Sequence, residues 1–214
     1  MCSGTLKFQT VGFNSSSVFV DLGSGLCKPQ LQALAEHGVT RSVGVEPDGI
    51  KCQRAVQVIR LLAQAWQLDI SGLHLVRAGA ADLMTLQPGT HLYLCWHGWR
   101  KDDMRAVGRL VDKSRSIQCV CMVQPASRSQ EKLVELTAEL SFPPMQLVGQ
   151  RGVVLAQGKS GPGRHLTAYT FRVMRCHVEG KQAGVESESL GLFDLPAYTP
   201  QVSVGMCLRS RRAQ

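Results

Sequence analysis

No stretch of this 214-residue sequence approaches the roughly 18 apolar residues that a membrane-spanning helix needs. Its first residues, Met-Cys-Ser-Gly-Thr-Leu-Lys, lack the basic region and apolar run of a secretory signal, so an intracellular protein without membrane contact is expected. Eight cysteines are present, yet none of their spacings is that of zinc ligands. No metal is expected, and the thiols are expected to be reduced and mostly buried. Charge is sparse too. Only 19% of residues are Asp, Glu, Lys or Arg against 44% hydrophobic, the balance of a soluble globular chain rather than a disordered or fibrous one. The length suits one domain around one core, and no internal repeat is visible.

Acids are the scarcer charge, 16 against 24 basic residues, giving a net +8. The excess is uneven. Arg151, Lys159, Arg164, Arg172, Arg175 and Lys181 face one acid, Glu179, and Arg209, Arg211 and Arg212 follow near the C-terminus. Such a distribution favours polyanions such as nucleic acid or nucleosomes, and is equally what a solvated surface carries.

What the chain does have is a regular alternation. Val18 to Leu22 is an apolar run that breaks at Gly-Ser-Gly, as a buried strand entering a tight turn does. Pro29 suits a first helical turn, with Leu31, Leu34 and Ala35 as its apolar face. Strand patterns recur at Arg41 to Glu46, Leu73 to Val76, His91 to Trp96 and Ile117 to Val123. Helical periodicity fills Asp48 to Leu68, Asp102 to Lys113 and Ser129 to Leu140, the last opened by Ser127 and Gln130 at capping-box spacing. After Pro143-Pro144, Met145 to Gln157 and Leu166 to Cys176 follow each other without a helix and should pair antiparallel. The expectation is an α/β, Rossmann-like fold: a mostly parallel seven-stranded sheet, helices on both faces and a C-terminal antiparallel hairpin. Residues 1–17 form a short lead, 18–178 the domain, and 179–214 a loose, basic-ended tail.

Ligands of such sheets sit at the carboxyl ends of the strands, where glycine lets backbone approach closely. The first strand ends in Asp21-Leu-Gly23-Ser24-Gly25, and the second ends in Glu46, placed to accept hydrogen bonds from a ribose diol. A pyrophosphate fingerprint requires a third glycine, but Leu26, Cys27 and Lys28 follow Gly25. That speaks against a dinucleotide. Asp21-Leu-Gly-Ser-Gly25 instead resembles motif one of class I methyltransferases, which implies S-adenosylmethionine as cofactor.

Phe19-Val-Asp-Leu-Gly-Ser-Gly25, Val43-Gly-Val-Glu46 and the final hairpin resemble, over residues 18–176, the disruptor-of-telomeric-silencing family, which methylates a lysine of the histone H3 core. The resemblance implies a nuclear enzyme acting on nucleosomes. It places Gly23, Ser24 and Gly25 beside the methionine part of the cofactor, Asp21 on the loop or on the cofactor ammonium, and Glu46 on the ribose. Ala80 and Ala81 stand where the family has an acid and an aromatic residue at adenine, a contact that is lost or passes to Asp82. Cys95-Trp-His-Gly-Trp99 stands where the family has two asparagines followed by aromatic, small and aromatic residues, so Cys95 falls at a cofactor-contacting place. Gly98 and Trp99 fit, His97 replaces an aromatic, and both asparagines are missing. Transfer to lysine needs an uncharged amine, which an aromatic channel favours. Trp96, Trp99 and Tyr169 are the candidate walls, and His97 the candidate proton acceptor. Nucleic-acid amine methyltransferases, small-molecule methyltransferases and a non-catalytic cofactor-binding domain are the alternatives.

Overall fold

The computed structural model describes residues 12–96, 98–125, 130–155, 164–175 and 191–198. Their strands form one seven-stranded sheet in the order β3-β2-β1-β4-β5-β7-β6. β1 (Val18–Leu22), β2 (Arg41–Val45), β3 (Leu73–Val76), β4 (His91–Cys95) and β5 (Cys119–Pro125) run parallel, while β7 (Arg164–Val173) inserts antiparallel between β5 and β6 (Met145–Leu155). The helices are α1 (Lys28–Glu36), α2 (Gly49–Trp66), α3 (Lys101–Lys113) and α4 (Gln130–Glu139).

Alternation along the central strands divides the core between the two faces of the sheet. Phe19, Tyr93 and Cys121 pack with Ala33 of α1 on one face. Val20, Leu22, Leu92, Leu94 and Met122 pack with Val107, Leu110 and Val111 of α3 and Leu133 of α4 on the other. A third cluster joins Leu31 of α1 to Cys52, Ala55 and Ile59 of α2 over Leu75 of β3. Burial pushes the thiols of Cys27, Cys119 and Cys121 up to about 12, so they behave as small apolar side chains.

Two expectations about helix faces are corrected. The inward face of α1 is Gln30, Leu31 and Ala33, while Ala35 is exposed. Gln30 lies over Gly44 of β2, where only glycine leaves room for its amide. On α2, whose helical periodicity carries Ala55, Val58, Ile59, Leu62, Ala65 and Trp66, the buried stripe is narrower: Ala65 is exposed and Trp66, the last residue of the helix, is 55% exposed.

Of the tail expected over residues 179–214, 179–190 and 199–214 lie outside the described residues, and residues 191–198 are docked on the sheet. Leu192 donates its N–H to Gln87 O at 2.7 Å, His74 Nε2 meets Leu195 O at 3.0 Å, and Tyr198 N–H reaches Leu75 O at 2.6 Å. Arg41 stacks on the Phe193 ring at 3.8 Å. The cause lies in the β3–β4 connection, which holds only a three-residue 3-10 turn, Ala80–Asp82. No helix therefore covers Val43, Val45 and Val76 on that face, and Leu192, fully buried, completes their cluster instead.

Candidate active-site cleft

β1 and β2 end side by side, and their loops are tied together by one carboxylate. Gly23 and Ser24 donate their N–H groups to Val45 O, at 2.8 and 3.1 Å, so the glycine turn folds back onto the second strand. Glu46, 3% exposed, then accepts from Gly25 N–H through Oε2 at 2.9 Å and from Asp48 N–H through Oε1 at 3.1 Å. Lys51 Nζ stands 3.7 Å from the same Oε1. A carboxylate offers about four lone-pair sites, so two backbone donors leave acceptor capacity on each oxygen.

A cleft of about 530 Å³ opens above these loops. Leu22, Gly23 and Glu46 form its β1–β2 side, Ala78, Gly79 and Ala80 its β3 side, and Cys95, Gly98, Trp99, Arg100 and Asp103 its β4–α3 side. The volume lies within the 300–1,000 Å³ typical of small-molecule sites. A small 3-10 turn on one wall and a glycine turn on another leave it wide enough for a nucleoside.

The sequence-predicted residues divide sharply. Gly23, Glu46, Ala80, Cys95 and Trp99 all line the cleft. Asp21, Ser24 and Gly25 lie outside its lining and shape it from beneath. Asp21 is 2% exposed, and its Oδ2 accepts from the Gln30 amide at 3.0 Å once that amide is oriented to satisfy its neighbours. Burial first, and the Glu46 charge second, raise the Asp21 carboxyl well above the usual range. Ser24 is buried against Cys27 Sγ at 3.8 Å. Gly25, at φ +53°, supplies the left-handed turn that aims its N–H at Glu46.

Other candidate residues lie away from the cleft lining. Ala81 is exposed and does not face the cleft, and Asp82 turns its Oδ2 back to Gly79 N–H at 2.8 Å, which closes the 3-10 turn. Tyr169 is 2% exposed in the core with Trp96 and Phe171, because it sits opposite Met122 on the inward-facing register of β7. Trp96 is likewise core, edge-on to Phe142 with centroids 5.9 Å apart. His97 lies outside the described residues. Of the proposed channel walls only Trp99 reaches the cleft. Its indole lies on Gly23: a Cβ there would fall 2.6 Å from Cζ2, so the missing side chain makes room for the ring. Lys51, Arg100 and Asp103 were not anticipated, since charged residues at a helix start ordinarily read as capping and solvation.

The family model described as "Histone methylation protein DOT1" matches residues 5–75, about a third of the chain, ending within β3. No curated protein matches. Solved structures similar to this one include a protein of Pyrococcus horikoshii proposed as an RNA methyltransferase, with TM-score 0.56 and 13% identity over 75% of this chain and 76% of that one. TYW2 of M. jannaschii, solved in complex with AdoMet, gives TM-score 0.51 and 11% identity over 76% and 71%. A Streptococcus agalactiae protein of the NADB-Rossmann superfamily gives 0.55 and 12% over 82% and 71%. At such identities the likeness is one of fold. Dinucleotide-binding sheets follow the order 3-2-1-4-5-6, whereas an antiparallel β7 here separates β5 from β6, and with these neighbours the chain has the Rossmann-like fold of class I methyltransferases.

Proposed function

We propose that this chain is an S-adenosylmethionine-dependent methyltransferase whose cofactor occupies the cleft over Gly23 and Glu46. The observation that carries this is the Glu46 carboxylate, held by two loop N–H groups at the end of β2 and still offering acceptors to a ribose diol. Ala78, Gly79 and Ala80 present nothing larger than a methyl group on the β3 side of the cleft, where a nucleoside would lie. When bound, the cofactor supplies an electrophilic sulfonium methyl open to in-line attack by an amine. Trp99 and Cys95 would then wall the acceptor side, the indole excluding water from an amine that must enter neutral although free lysine titrates near pH 10.4.

The acceptor we assign is a lysine of the histone H3 core, with the nucleosome as partner and the nucleus as place of action. The family-model match and the net charge of +8 support this. The acceptor segment Cys95 to Trp99 lies beyond the matched residues, so it falls to experiment to separate acceptors.

Calorimetry should show S-adenosylmethionine and S-adenosylhomocysteine binding to the wild type. Glu46→Ala removes charge-assisted hydrogen bonds worth about 1.5–3 kcal/mol, so affinity should drop by roughly ten- to a hundredfold. Absence of wild-type binding would refute the cofactor reading. Labelled methyl groups should then appear on nucleosomes; label found only on RNA or on small metabolites would refute the lysine reading and leave the cofactor site standing.

A further inference from the structure

A sulfonium cofactor carries charge at both ends of its amino-acid portion, and the cleft must meet a carboxylate and an ammonium as well as a nucleoside. Asp21, the acid the motif offers for the ammonium, is withdrawn: it is buried behind the turn, outside the cleft lining, and engaged by Gln30. Its raised pKa favours the neutral acid, a poor partner for a cation. Glu46 is committed to two loop N–H groups, and Lys51 stands beside it.

Two charged side chains in the cleft lining remain. Arg100 and Asp103 both face the cleft from the start of α3, and neither enters a salt bridge or side-chain hydrogen bond among the described residues. Their neighbours along the helix are already engaged: Lys101 pairs with Glu139, and Asp102 with Arg105 at 3.2 Å. The pair lines the same cleft as Gly23, on which Trp99, the residue before Arg100, rests. One cation and one anion, unspent and three residues apart on one wall, complement a zwitterion better than they complement a polyanion or a simple amine.

We propose that Arg100 and Asp103 form the subsite for the amino-acid end of the cofactor, the guanidinium taking its carboxylate and the Asp103 carboxylate its ammonium. This rests on reading the cleft as an S-adenosylmethionine site. It moves recognition of that end from the glycine motif to the β4–α3 loop, where no motif marks it.

The test is calorimetry of the full chain with three ligands: S-adenosylhomocysteine, its decarboxylated amine, and 5′-methylthioadenosine, which lacks the amino acid. Arg100→Gln should weaken S-adenosylhomocysteine by about tenfold and leave the decarboxylated amine and methylthioadenosine within about twofold, the contacts being partly screened by solvent. Asp103→Asn should weaken both amine-bearing ligands and spare methylthioadenosine. Equal losses across all three ligands, or no loss, would overturn the subsite, as would a wild type that binds methylthioadenosine as tightly as S-adenosylhomocysteine. A wild type that binds none of the three defeats the cofactor reading itself, a result distinct from the others. Circular dichroism of each variant separates a binding defect from misfolding.

Discussion

Asp21 and Trp99 show how position changes what a residue can do. In sequence Asp21 stands two residues before Gly23, and the resemblance gives it either the loop to orient or the cofactor ammonium to meet. In the fold, the pleat of β1 sends its side chain into the sheet face covered by α1, where burial raises its pKa. A folded-state pKa raised above the unfolded value near 3.9 means the unfolded chain releases this proton first. Between those two values the native state binds more protons, so stability falls as pH rises. Asp21→Asn keeps an acceptor for Gln30 and removes that slope. The melting temperature of the variant minus that of wild type should therefore grow as pH rises above about 3.9; a constant difference would mean that folding does not raise the Asp21 pKa. Trp99 makes the reverse case. Tryptophan after a strand reads equally as packing or as site, and the contact with Gly23 places it at the cleft. The position of Glu46 was legible because it follows the end of β2, which the alternation of Val43 and Val45 locates. Arg100 and Asp103 were not legible, because the cleft they share with Gly23 joins segments more than 75 residues apart.

At the scale of elements, strand and helix periodicity marked all seven strands and four helices, and the ends moved by a few residues where local chemistry took over. Asp48 is the N-cap of α2, its Oδ1 accepting from Ile50 and Lys51 N–H at 2.8 and 3.2 Å. The packing of one helix on the next was invisible. Gly108 in α3 would by helix propensity gain about 0.5–1 kcal/mol on mutation to alanine. A Cβ there, however, falls 1.9 Å from Leu140 O, a backbone atom at the end of α4. Forcing α3 away costs about 1–3 kcal/mol. Gly108→Ala should accordingly lower the urea midpoint; a raised midpoint would mean the helices do not approach so closely. Arg175 belongs to the same scale. Counted by sequence among the basic surface, it donates to Val111 O at 2.9 Å, Ser114 O at 2.8 Å and Asp112 O at 3.2 Å, so it closes the C-terminal end of α3. Its charge is not free for a polyanion.

Over the whole molecule, a short return segment from beyond the last described strand repairs a gap created far earlier in the chain. Leu192 is fully buried among residues of β2, β3 and the β3–β4 connection, so Leu192→Ala should cost about 2–5 kcal/mol in denaturant unfolding. A negligible change would show that Gly191–Tyr198 is not part of the folded core. Arg151 and Arg172 remain exposed on the β6–β7 hairpin. If they help hold a nucleosome, affinity should fall steeply as salt is raised from about 50 to 200 mM, since each neutralised phosphate releases counterions. Affinity independent of salt would exclude that surface. The sequence by itself determined the α/β alternation, the antiparallel ending and the pairing of a glycine turn with Glu46, because each is written in local periodicity or in the residue types that a turn and a strand end require. Only the tertiary structure decided that Asp21 and Tyr169 are buried, that Trp99 meets Gly23, that Arg100 and Asp103 share the cleft, and that Leu192 completes the core. Those outcomes depend on which side of a strand faces a neighbour and on contacts between distant segments, and neither has a local signature in the chain.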